Sequence, residues 1–191
     1  MRYPPEYKEA KRQELIEATS ALIKQGGYAA TGIDKLMEGA GMTSGAFYSH
    51  FESKADLLKA VIPYELQLSR DAWQHNPHTD LEQWLAFELD RYLNLRHVRH
   101  PEAGCMLPSL GAEIARADDS VRQVFEKEIL SGVALLEQRL GSEELAWAFI
   151  CQLVGAVMMA RAMPTKGGQL AVLESSKRFL SQSLLQSQIN A

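Results

Sequence analysis

The 191 residues are 46% hydrophobic and 23% charged, with a formal net charge of −4. That much apolar material excludes a chain disordered over most of its length, and the acidic balance excludes a protein that coats nucleic acid without selectivity. Residues 1–60 hold eight basic and eight acidic side chains, so the surplus negative charge lies in the remainder and any DNA contact belongs in the first third.

Taken in chain order, residues 6–25 repeat Leu15, Ala18, Leu22 and Ile16, Thr19, Ile23 at three- and four-residue spacing. This is the stripe of an amphipathic helix, and Gly26 and Gly27 supply its stop. Thr31 followed by Asp34 reads as an N-cap opening a short helix through Ala40, which Gly41 ends. Thr43 caps a second short helix to about Ser49, and Ser53 with Asp56 repeats the capping pattern before the apolar run 57–62. Downstream, Pro63 reads as a kink, Asn76 and Pro77 as a break, Thr79 or Asp80 as a cap and residues 101–104 as another break. Helices are expected near 80–100, 105–116, 118–140, 142–163 and 168–188. No β-branched alternation competes, so the fold class is all-α, a short-helix module followed by long antiparallel helices.

No apolar run is read as approaching the roughly 18–20 residues that cross a bilayer, and the first residues lack the apolar core of a signal peptide. A cytoplasmic chain without membrane association is therefore expected. Cys105 and Cys151 are too few for a disulfide framework and lack zinc-module spacing, which makes reduced thiols the default.

The two short helices joined at Gly41 have the pattern of a helix-turn-helix, whose second helix enters the major groove. At about 100° per residue, Phe47 and Phe51 share the inward face, Gly45 and Ser49 lie opposite, and Ser44 and Tyr48 stand on a flank. The outward face lets backbone approach DNA at Gly45, while Thr43, Ser44, Tyr48 and Ser49 offer hydroxyls to phosphates or base edges. Lys54, in the first turn of the following helix, is placed for a phosphate. No arginine stands on this face, so affinity is expected from phosphate contacts and DNA shape.

The run at residues 41–57, centred on FYSHFESK at 47–54, resembles the N-terminal signature of the TetR family, and the resemblance covers about residues 8–58. It implies an N-terminal three-helix DNA-binding domain with a helix-turn-helix, placed here at 1–52. A larger helical domain at 53–191 would bind a small effector and dimerise through the last two long helices. It also implies repression of a nearby gene through a double-stranded operator. Carried over position by position, Thr43, Ser44, Tyr48, His50 and Lys54 form the DNA-contacting set, with Gly45 allowing close approach. Gly32, Met37 and Gly39 depart from the usual pattern: Gly32 removes a hydroxyl that Thr31 would have to replace, and Gly39 weakens its helix by roughly 1 kcal/mol relative to Ala.

Beyond residue 60, Trp73, Trp84, Phe87, Tyr92, Met106, Leu110, Trp147, Phe149, Met158 and Met159 supply either a core or an apolar pocket. Trp84, Phe87, Cys105, Met106 and Trp147 are the candidate effector contacts. Cys105, after Gly104 at an expected helix start, could carry a depressed thiol pKa and sense electrophiles, whereas Cys151 reads as buried and inert. His97 and His100 are too loosely spaced for a metal site and read as exposed helix-end residues. Leu145, Ala148, Phe149, Gln152, Leu153, Ala156 and Val157, together with Leu173, Phe179, Leu180 and Leu184, mark the faces expected to build a homodimer. No nucleophile-base pair or glycine-rich phosphate loop suggests an enzyme, and no cofactor is expected. The competing class is an all-α protein-interaction adaptor without specific DNA binding.

Overall fold

A computed structural model describes residues 5–189, and those residues are helical throughout, with turns and no strand. The helices are α1 (Pro5–Gly26), α2 (Ile33–Gly39), α3 (Ser44–Phe47), α4 (Lys54–Gln74), α5 (Leu81–Tyr92), α6 (Leu95–Arg99), α7 (Leu107–Ile114), α8 (Asp119–Leu140), α9 (Glu143–Ala162) and α10 (Lys166–Ile189), with a 3-10 turn at Pro101–Ala103. The described residues form two compact units: residues 5–65 with 101–127, and residues 66–100 with 128–189. The units divide within α4, whose Leu57, Leu58, Val61 and Ile62 are all buried and whose Glu65 is tied to α1.

In the first unit, Leu15, Ile16 and Ile23 of α1 meet Leu36, Met37, Phe47, Phe51 and the first half of α4 in one core. The glycine stops work as read: Gly27 and Gly41 take φ of +83° and +69°, where a side chain is strained. The Ser53 cap also forms, its hydroxyl accepting from Asp56 N–H at 3.1 Å while the Asp56 carboxylate accepts from Glu52 N–H at 3.3 Å. Beneath this core lies a buried ion pair. Lys24 Nζ is 2.8 Å from Glu65 and donates to the Gly104 carbonyl at 2.9 Å, while Ser20 donates to the same carboxylate. Each ion thus has a hydrogen-bond partner beyond the pair itself, which a buried pair requires.

Two local expectations are corrected. Thr31 does not cap α2. The cap position is Gly32, with no side-chain bond, and the Thr31 hydroxyl turns inward to donate to Gly27 O at 2.7 Å. Helix α3 ends at Phe47 rather than near Ser49, because the Ser49 hydroxyl donates to Ala46 O at 2.7 Å and the chain turns through His50.

The second unit packs α9 along α10, with α5 and α6 against the same pair. The single helix expected over 80–100 is two, broken at Leu93 and Asn94. Asn94 accepts from His97 N–H at 2.9 Å to cap α6, and its amide donates to the carbonyls of Asp90 and Arg91 at the end of α5. One side chain therefore satisfies both helix ends. His97 is buried, its Nδ1 2.8 Å from Tyr92 O and its ring edge-on to Tyr92, which corrects its reading as an exposed residue.

Helix α9 corrects the reading of apolar runs. An 18-residue window of its 20 residues reaches a mean hydropathy of 1.6, enough by length and composition to cross a bilayer, but Ala146, Phe149, Ile150, Leu153, Ala156, Val157 and Ala160 are buried within the unit. Cys151 falls on the opposite side and is exposed, not buried. Met158, Met159 and, on α10, Phe179 are exposed as well.

Candidate nucleic-acid interface

The reading corner is built outward from two aromatic anchors. Phe47 is fully buried and Phe51 nearly so, with ring centroids 5.7 Å apart, and the Arg12 guanidinium lies 4.9 Å from the Phe51 ring centroid. Anchoring residues 47 and 51 fixes the rotation of the turn between them. Tyr48 then projects outward at 67% exposure, its ring edge-on to Phe47 at 5.3 Å. Gly45 is exposed, with open space where a Cβ would stand. Thr43 and Ser49 are exposed and Ser44 half-buried, so Thr43, Ser44, Gly45, Tyr48 and Ser49 gather on one hydroxyl-rich surface of α3 and its flanks.

Thr31 does not join them, being 1% exposed with its hydroxyl committed. His50 is half-buried, and its Nδ1 is buried without a hydrogen-bond partner. Burial pushes its pKa below the usual value, and the cations Lys8 and Arg12 push the same way against Glu9. Lys54 is engaged within the fold: its ammonium donates to the Tyr28 carbonyl and sits 4.4 Å from the Tyr28 ring centroid. Burial pulls the Lys54 pKa down, while the Glu113 carboxylate opposes that shift.

Glu113 escaped the sequence reading. Its two carboxylate oxygens accept from Tyr28 N–H at 2.8 Å and Ala29 N–H at 2.7 Å, so α7 latches the turn that leads into α2. Nothing local signals this contact across 84 residues. Gly39 also gains a reason, since a Cβ there would stand 2.3 Å from Leu22 Cδ1 and the helix penalty of glycine is the condition for close packing of α2 on α1.

The five candidate effector contacts are divided between the two units. Trp84 alone of them lines a cavity of about 190 Å³, shared with Trp73, Leu135, Leu136 and Arg139. Phe87 is 39% exposed and edge-on to His78, and Trp147 is half-buried, donating to Glu143 at 3.3 Å. Cys105 is half-buried and Met106 fully buried, both in the first unit. No group of three metal-ligating side chains occurs among the described residues.

The family model "Bacterial regulatory proteins, tetR family" matches residues 15–61. An uncharacterized HTH-type transcriptional regulator of Lactococcus lactis subsp. lactis is 25% identical over 188 residues, spanning 90% of this chain and 92% of that protein. A TetR transcriptional regulator from Chloroflexus aurantiacus shares the fold at TM-score 0.77 and 22% identity, covering 95% of this chain and 97% of its own. FadR from Bacillus subtilis, solved in complex with stearoyl-CoA, does so at TM-score 0.69 and 16% identity, covering 88% and 97%. The matched segment takes in the Phe47–Tyr48–Phe51 corner, the glycine turn before it and the cap after it, and residues 15–61 are a helix-turn-helix segment of the tetR family of bacterial regulatory proteins.

Proposed function

We propose that the protein is a repressor that binds a near-palindromic operator as a homodimer, one α3 in each half-site, and that a small molecule or an electrophile releases it. The observation that carries the DNA reading is the exposed Tyr48 beside the open backbone of Gly45, held outward by two buried phenylalanines. Hydroxyls with a close backbone approach suit phosphate contact and groove shape more than bidentate base readout. The apolar side chains left exposed on α9 and α10, Met158, Met159 and Phe179, support pairing of those helices with a second copy. The ligand seen in the FadR neighbour supports a small-molecule effector, and the half-buried Cys105 supports a thiol as the alternative trigger. The place of action is the cytoplasm, and the role is binding without a reaction of its own.

Fluorescence anisotropy on the protein's own promoter tests the reading. Tyr48→Ala should weaken binding about tenfold for two half-sites, from the loss of roughly one hydrogen bond in each. Lys54→Ala discriminates two roles: loss of a phosphate contact lowers the salt slope by about 1 per site, whereas loss of its bond to Tyr28 weakens binding at unchanged slope. Undiminished binding in both variants, or binding no tighter than to unrelated DNA, refutes the assignment. Cys105→Ser leaving release by quinones unchanged removes the thiol trigger.

A further inference from the structure

We propose that the cavity formed by α4, α5 and α8 is a binding site for a small carboxylate with a single-ring apolar body. This names the chemical class of effector and rests on the ligand-responsive reading above. The pointer is Arg139. Its guanidinium lies 5.5 Å from the Trp84 ring centroid and donates to the carbonyls of Thr79 at 2.6 Å and His78 at 3.4 Å. Those acceptors are neutral. Its Nε is buried with no acceptor, and Arg139 forms no ion pair within the described structure. A guanidinium carries five donors and a permanent charge, and leaving the buried Nε donor without an acceptor is costly. An incoming carboxylate provides the missing acceptor and the missing counter-charge together, in the planar geometry that arginine favours.

The walls define the rest of the ligand. Trp73, Trp84, Leu135 and Leu136 present apolar surface, Gln74 and Gln138 complete the lining beside Arg139, and the volume is about 190 Å³. An apolar cavity of about 150 Å³ in another protein holds benzene, so this one accommodates one ring with a short acidic arm. Trp73 is seated against α8 at Gly132, where a Cβ would stand 3.3 Å from the indole. Gly132 thus sets how closely the Trp73 wall lies on α8.

The test titrates the full chain with phenylacetate and with its neutral isostere phenylacetamide, reading tryptophan emission and calorimetric heat. Phenylacetate should bind at least about tenfold more tightly than the amide, the margin of a charge-assisted bond. Arg139→Gln should erase that preference, and Gly132→Ala, which crowds Trp73, should weaken both probes. Equal binding of the two probes by the unaltered protein, or no phenylacetate binding up to about 10 mM, overturns the proposal. An intact preference in Arg139→Gln does so too. Operator binding is read separately: phenylacetate that occupies the site without loosening DNA supports the site and refutes ligand-controlled release. Selective DNA binding by a protein that ignores phenylacetate refutes the site and leaves the regulator standing.

Discussion

Replacing Glu113 with Gln interrogates the latch that holds the entry to the reading corner. In the native chain both carboxylate oxygens are used, on Tyr28 N–H at 2.8 Å and Ala29 N–H at 2.7 Å, while Lys54 holds the Tyr28 carbonyl from the other side. Gln keeps one acceptor and turns an NH₂ group toward the other backbone donor, so one hydrogen bond is lost and the charge assistance of the second disappears. A bond to a charged acceptor contributes about 1.5–3 kcal/mol, and the exposed Ala29 amide recovers part of that from water, which leaves a loss of about 1–2 kcal/mol. In a chain of 191 residues each kcal/mol moves Tm by about 2–4 °C, so a fall of roughly 4 °C is expected. The sharper measurement is hydrogen exchange at Tyr28 and Ala29, where protection should drop by about 5- to 30-fold while α9 and α10 change far less. Operator affinity should fall too, because the turn fixes where α2 begins. Unchanged protection at these two amides in Glu113→Gln would refute the latch, whatever happened to Tm.

Gly39→Ala should destabilise the protein by about 1 kcal/mol, the overpacking against Leu22 exceeding the gain in helix propensity. In a Leu22→Ala background the same change should become stabilising, and a denaturant double-mutant cycle that finds no such coupling refutes the packing argument. His50 has its pKa lowered from 6.5 by burial and by Lys8 and Arg12, so it is neutral at pH 7.5 in the free protein. A phosphate would raise that pKa, so DNA binding should take up a proton and tighten as pH falls from about 7.5 to 5.5, an effect absent in His50→Gln. The same depression makes the free fold lose stability below pH 6.5, where the unfolded chain binds the proton more readily. Phe179→Glu, at a side chain 59% exposed, should shift the sedimenting species toward monomer; a dimer of undiminished stability places the interface elsewhere.

The helix-turn-helix was legible because its signals are local. A glycine at φ +69°, a Ser53–Asp56 cap and two phenylalanines four residues apart act over a single turn, and each formed as its chemistry dictates. The misreadings on the same segment arose where a side chain had two local partners of similar worth. Thr31 could cap α2 or bond back to Gly27, and the close approach of Gly26, whose Cβ would meet Thr31 Oγ1 at 2.9 Å, shows that the hydroxyl is packed against the preceding turn. Asn94 split an expected helix for a related reason, since its amide serves the end of α5 while its oxygen starts α6. Cys151 was misplaced because α9 is apolar around most of its circumference, which leaves periodicity with little contrast by which to choose an inward face.

The second unit was illegible for a different physical cause. Tryptophans, leucines and methionines lower the free energy of a core and of a pocket by the same burial, so no pattern among them separates the two. What separates them is a polar group that the fold leaves incomplete, and completeness is a tertiary property. Arg139 in sequence is an ordinary cation in the last turn of α8, where it complements the helix dipole. Its meaning changes once Trp84 lies beside it and two backbone carbonyls are found to be all the acceptors it has. Lys24 shows the contrasting outcome: equally cationic and more deeply buried, it meets the Glu65 carboxylate and the Gly104 carbonyl, so its charge is answered within the fold. The difference between those two cations, one answered by the fold and one not, is the physical basis for placing the ligand site at Arg139.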